Sequence, residues 1–178
     1  MMTIHTDLWV PGKTLSFDGY TGLMIIVCHM TGFAAIEPVI EATSESLAKA
    51  VYKIFMRYGL CHMIMINPDS KCKGRFKGMT ALLTFQHHMC ARGHHDTILV
   101  ERFNRFLNSA LTVFDNDRES NMVFIEGSFT VCYTWNSVPV ATTDLSRSLL
   151  VVGREYHFPI GFQSRSYITC NLSKRRIR

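Results

Sequence analysis

The chain has 178 residues, enough for one hydrophobic core with no need of a second domain. Hydrophobic residues make up 47% and charged residues 19%, a balance that argues against intrinsic disorder. The net charge is +5, and Lys174, Arg175, Arg176 and Arg178 supply four of those charges, so the body is not uniformly basic, although a local basic groove is allowed.

From Thr3 to Val10 and from Leu23 to Cys28 the residues are β-branched or apolar, and Pro11, Gly12, Asp18, Gly19 and Gly22 lie between them. This pattern predicts a hairpin. A third strand is expected over Phe33 to Val39 after the Thr31-Gly32 turn, which makes the first forty residues an antiparallel meander. Between Thr43 and Gly59 the apolar residues Leu47, Val51, Ile54, Phe55 and Tyr58 recur every three or four positions, as on one face of a helix. His62 to Ile66 is then a short apolar run of the length of a buried strand, reached by a crossover that mixes the sheet.

A second helix is expected from Lys77 to His87, followed by an irregular stretch to about Thr97. Its His87, His88, Cys90, His94 and His95 fit no zinc-finger spacing and are read as a polar loop rather than a metal site. Over Ile98 to Phe114 the residues Val100, Phe103, Leu107, Ala110, Leu111 and Phe114 share one helical face, which leaves Glu101, Arg105 and Asn108 on the opposite one. A last helix is expected from Glu119 to Trp135, and about the last fifteen residues of the chain are expected to be loosely ordered. Trp9 and Trp135 are read as packing residues rather than base-stacking platforms.

Six cysteines without a C-x-x-C pair, and an N-terminus without a signal-peptide pattern, lead to the expectation of reduced thiols in an intracellular protein. No apolar run approaches the roughly 20 residues of a membrane span, so no membrane partner is expected.

A strand acid and a helix acid aimed at one point suit oxygen-ligated divalent cations, and Asp7 and Glu101 are the candidates. Their surroundings carry a resemblance. His5-Thr6-Asp7-Leu8-Trp9-Val10-Pro11-Gly12-Lys13 resembles the segment around the first catalytic Asp of retroviral and LTR-retrotransposon integrases. Thr31-Gly32-Phe33, Glu37-Pro38 and Tyr58-Gly59-Leu60 are similar to that family's next elements. Leu99-Val100-Glu101-Arg102-Phe103-Asn104-Arg105 resembles its V-E-R-x-N-R motif, and Tyr133-Thr134-Trp135-Asn136, Pro139, Leu145-Ser146 and Gly153-Arg154 resemble its C-terminal pattern.

The resemblance implies an α/β, ribonuclease H-like domain over residues 1–160, with a five-stranded mixed sheet flanked by helices, and a basic tail over 161–178. It implies a polynucleotidyl transferase that uses Mg²⁺ or Mn²⁺ on DNA, the retroelement ends and target, in the nucleus, and it allows a homodimer. The second family Asp, five residues before a Phe, is replaced: that Phe position is Cys72, and Asn67 stands where the acid belongs. An Asn offers a carbonyl oxygen and no charge, so metal binding and catalysis are expected to be weakened or lost. Asp69 is the candidate substitute ligand, although two residues of extended chain span about 6.6 Å, so that Pro68 would have to fold the loop back. Arg102 and Arg105, with Lys174, Arg175 and Arg176, are the candidate nucleic-acid contacts; ordinary solvated faces are the competing reading. A relic that binds nucleic acid or a partner without catalysis is the alternative to an active core.

Overall fold

The alternating apolar residues of the first forty positions form three antiparallel strands, β1 (Thr3–Trp9), β2 (Gly22–Cys28) and β3 (Ala34–Val39). The computed structural model describes residues 3–10, 19–59, 61–66, 86–89, 98–116 and 124–156. Asp7 pairs with Ile25 and Ile25 pairs with Ile36, which sets the register of the meander. Gly22 permits the close approach of β1 and β2, because a Cβ there would stand 2.5 Å from the Trp9 carbonyl oxygen.

Helix α1 (Ser44–Tyr58) follows. Thr43 caps it by accepting from the Ser46 N–H at 3.2 Å, and Gly59, at φ 86°, ends it in a conformation that disfavours a side chain. The predicted stripe of Leu47, Val51, Ile54 and Phe55 is buried. The helix carries the chain across the sheet to β4 (Met63–Ile66), which runs parallel to β1 with Thr6 opposite Ile66. Strand β5 (Gln86–Met89) adds in parallel to β4, giving the sheet order β3-β2-β1-β4-β5.

Strand β5 corrects the sequence expectation, which ran a helix through His87 and began a loop there. The pairing of His87 with Ile64 is supplied by a distant strand, and local periodicity carries no trace of such a partner. Residues 77–85 of that expected helix lie outside the described residues.

Helices α2 (Ile98–Asn116) and α3 (Phe124–Ser137) cover the opposite face from α1. One core packs Ile4, Met24, Ile26, Ala35 and Ile64 against α1. The other packs Trp9, Leu23, Ile25 and Ile36 against Phe103, Leu107 and Trp135. Both tryptophans are core residues, as expected: Trp9 is 7% and Trp135 8% exposed. A small hairpin, β6 (Pro139–Val140) with β7 (Leu145–Ser146), leads into α4 (Arg147–Val152), two elements without a counterpart in the sequence reading. Arg147 stacks 4.2 Å over the Trp135 ring and donates to the Trp135 carbonyl at 2.8 Å, which ties α4 to α3.

Glu37 is a charged group in the first core. Its side chain is 7% exposed and lies 2.8 Å from Lys53 Nζ and 2.9 Å from Arg57 Nη1. The Arg57 approach is ionic rather than a well-aligned hydrogen bond, since Glu37 Oε2 has no partner of proper geometry. The two cations extend to solvent from α1 and neutralise the buried carboxylate.

Candidate metal centre

Alternation along β1 sends Ile4 toward α1 and Trp9 toward α2 and α3, and Asp7 shares the parity of Trp9. The partly exposed Asp7 carboxylate therefore faces α2. Its Oδ1 accepts from the Leu8 N–H at 3.0 Å, and its Oδ2 accepts from Asn104 Nδ2 at 2.7 Å. Two residues along the strand, Trp9 Nε1 donates to Asn108 Oδ1 at 2.8 Å. These two polar bonds, one helical turn apart on α2, lay that helix alongside β1.

Glu101 lies one turn before Asn104 on the same side of α2 and is exposed. The fold thus brings the strand and the helix that carry Asp7 and Glu101 together, with Asn104 as the link. Among the described residues no group of three or more His, Cys, Asp or Glu side chains could hold a metal. Ile66 of β4 stands opposite Thr6, the neighbour of Asp7 on β1. Asn67 and Asp69 lie outside the described residues, as do Lys174, Arg175 and Arg176 and the His94 and His95 stretch.

Arg102 and Arg105 are exposed on α2. Burial pushes the Arg147 guanidinium below its ordinary pKa, and the charge of Arg102 adds to that depression, so the field of Arg102 reaches α4 as well as solvent. His5, two residues before Asp7, is buried, with its Nε2 2.9 Å from Nδ1 of the exposed His29.

Asn104 is the residue that sequence reasoning missed. It was quoted only as a letter of a motif, yet its position three residues after Glu101 places it on the acid's side of the helix. Its Oδ1 is buried and, among the described residues, has no hydrogen-bond partner, which leaves a carbonyl oxygen beside the Asp7 carboxylate.

No protein-family model and no curated protein matches the chain. Solved structures do match. The HTLV-2 integrase catalytic core in complex with magnesium shares 15% identity at a TM-score of 0.69, over 84% of this chain and 95% of that one. The BIV integrase catalytic core shares 14% identity at 0.68, over 85% and 93%. A simian T-cell lymphotropic virus intasome in complex with the PP2A regulatory subunit B56γ aligns at 14% identity and 0.70, over 92% of this chain and 60% of that one. The chain has the α/β, ribonuclease H-like fold of retroviral integrase catalytic cores.

Proposed function

We propose that this chain is a retroelement integrase core that acts on DNA by metal-dependent phosphodiester cleavage and strand transfer, weakened by Asn67 at one acid position. The observation that carries the reading is the Asn104–Asp7 bond at 2.7 Å, because it sets the helix bearing Glu101 over the strand bearing Asp7 within an integrase-core fold. The magnesium in the HTLV-2 core supports the same cofactor class here.

The donor set fits a divalent cation in part. Asp7 and Glu101 supply hard oxygens from two rigid elements, the ligand type that Mg²⁺ and Mn²⁺ prefer. Asp7 and Glu101 would hold such a cation, which would supply charge stabilisation to the oxygens at phosphorus. Within the protein, Asp7 and Glu101 hold that charge in place, and Asn104 fixes the rotamer of Asp7. Arg102 and Arg105 offer exposed cations to phosphate on the same helix, with Lys174, Arg175 and Arg176 as further contacts in the tail. A homodimer accords with the dimeric and trimeric forms of the HTLV-2 core.

The second reading is a relic that keeps the fold and binds nucleic acid or a partner without catalysis. Asn67 favours it, since each carboxylate removed from between two cations raises the cost of holding both. Calorimetric Mn²⁺ titration of the chain, Asn67→Asp and Asp69→Asn, with a strand-transfer assay on terminal-repeat oligonucleotides, separates the readings. Asn67→Asp is expected to raise affinity about tenfold or more and to raise any strand transfer, whereas Asp69→Asn changes little. Loss of Mn²⁺ binding in Asp69→Asn, with Asn67→Asp silent, would overturn the assignment of position 67 and make Asp69 the third ligand.

A further inference from the structure

We infer that the outer edge of β3 carries a binding slot for an extended acidic peptide segment of a partner protein. In the β2–β3 ladder the Cys28 N–H donates to the Phe33 carbonyl at 2.8 Å. Residues alternate from there, so Ala34, Ile36 and Pro38 turn their backbone groups away from β2. β3 is the edge of the sheet, and an edge strand normally has to be blocked against pairing.

Two of the three outward positions are blocked. At Ala34 the Asn136 side chain acts as a substitute peptide group: its Oδ1 accepts from the Ala34 N–H at 2.9 Å and its Nδ2 donates to the Ala34 carbonyl at 2.7 Å. At Pro38 there is no N–H to donate. Ile36 is left between them, with both an N–H and a C=O directed outward, and among the described residues neither has a partner.

Those groups open into a cavity of about 710 Å³, formed between β3, the end of α1, α3 and the segment after α4. This is within the size range of ligand sites. Tyr58 and Phe129 give it apolar walls, and Tyr156 closes one side in a parallel stack on Tyr133, with ring centres 4.7 Å apart. Arg57, already held by Glu37, and the exposed Arg154 line it beside a single lining acid, Glu155.

The chemistry that fits is one amide with a donor and an acceptor, as Asn136 already provides at the neighbouring position, flanked by an acidic side chain. A peptide strand supplies both, pairing one residue with Ile36 and presenting a carboxylate to Arg154. Pro38 and Asn136 limit the pairing to that one residue, so the pocket rather than a long ladder must supply the rest of the affinity.

The test is amide chemical shift and hydrogen exchange of the full ¹⁵N-labelled chain, titrated with a short N-acetylated, C-amidated peptide of alternating Glu and Leu. Controls are the same peptide with Gln for Glu and a single-stranded oligothymidine. The Ile36 amide is expected to shift and its exchange to slow with the acidic peptide, and less with the Gln peptide. Arg154→Ala, a change at an exposed position, is expected to weaken the acidic peptide roughly tenfold, the size of one charge-assisted contact. An Ile36 amide that the acidic peptide leaves unmoved overturns the slot. Response to the oligonucleotide alone overturns the peptide as ligand, and protection that rises with protein concentration alone assigns the edge to a second copy of the chain.

Discussion

Asn104 and Asp7, 97 residues apart in sequence, share a 2.7 Å hydrogen bond that joins the candidate acid of β1 to the helix carrying Glu101. The bond runs from a neutral amide to a carboxylate, a type stronger than one between two neutral groups. The oxygen of the same amide is buried and, among the described residues, without a partner, a cost that a merely structural residue has little reason to bear.

Asn104→Ala is therefore expected to act on both stability and metal binding. Losing the bond should cost about 1 to 2 kcal/mol, since Asp7 remains open to water. Losing the orientation of Asp7 should weaken Mn²⁺ binding by about tenfold, as for other residues that hold metal ligands. Urea denaturation and calorimetric titration measure the two effects. Unchanged Mn²⁺ affinity with lowered stability would leave Asn104 a packing residue only.

The amide of Asn136 has a different task, and removing it should cost more. Asn136→Leu strands the N–H of Ala34 and leaves its C=O only the Cys132 thiol as a donor, at about 2 to 3 kcal/mol. It also unblocks an edge strand, so light scattering should detect concentration-dependent association beyond that of the parent chain. A stable, monodisperse variant would contradict the role given to Asn136.

Burial pushes the thiols of Cys132 and Cys61 up, Cys132 to about 12 and Cys61 to about 11, from an ordinary 9.0. The folded chain thus holds these protons where the unfolded chain releases them. Their contribution to stability is complete below pH 9.0, is lost as pH rises, and is gone near 12. Urea midpoints measured across this window should fall with pH, and Cys132→Ala should flatten the slope. A flat profile in the parent chain would show that these thiols ionise as freely folded as unfolded.

Gly22→Ala is expected to destabilise by about 2 kcal/mol, as overpacking against an unyielding neighbour does. The added Cβ would stand 2.5 Å from the Trp9 carbonyl oxygen, so β1 and β2 must separate where the connecting segment joins them. Thermal unfolding checks this, and a melting temperature equal to that of the parent would show that the strands part freely.

Much of this arrangement was legible in the chain. The alternation over Thr3 to Val10 and Leu23 to Cys28, and the helical stripe from Leu47 to Tyr58, each record burial of one face, and a face is a local property of sequence. The apolar side of α2 was equally readable, and so was the outward position of Glu101. Strand β5 was not, because its pairing with β4 is a relation between residues more than twenty positions apart that share no period. Asn104 was hidden for a related reason. An asparagine on a helix reads as a solvated polar residue until the fold supplies the carboxylate of Asp7 opposite it. The edge amide of Asn136 was likewise invisible, since only the sheet order reveals that β3 has an open side.

The three strands of the meander lie within the first forty residues, whereas the bonds that lay α2 on β1 close loops of 97 and 99 residues. Loop-closure entropy rises only slowly with length, about 0.6 kcal/mol per doubling, but contacts of such separation form late and slow the search. The meander is therefore suited to form first, with the face of β1 that bears Asp7 and Trp9 still open to water. The strand that carries Asp7 and the helix that carries Glu101 come together only when the second half of the chain docks. A nascent or truncated chain ending after α1 would display that apolar face without its cover, and would depend on chaperone binding to stay dispersed.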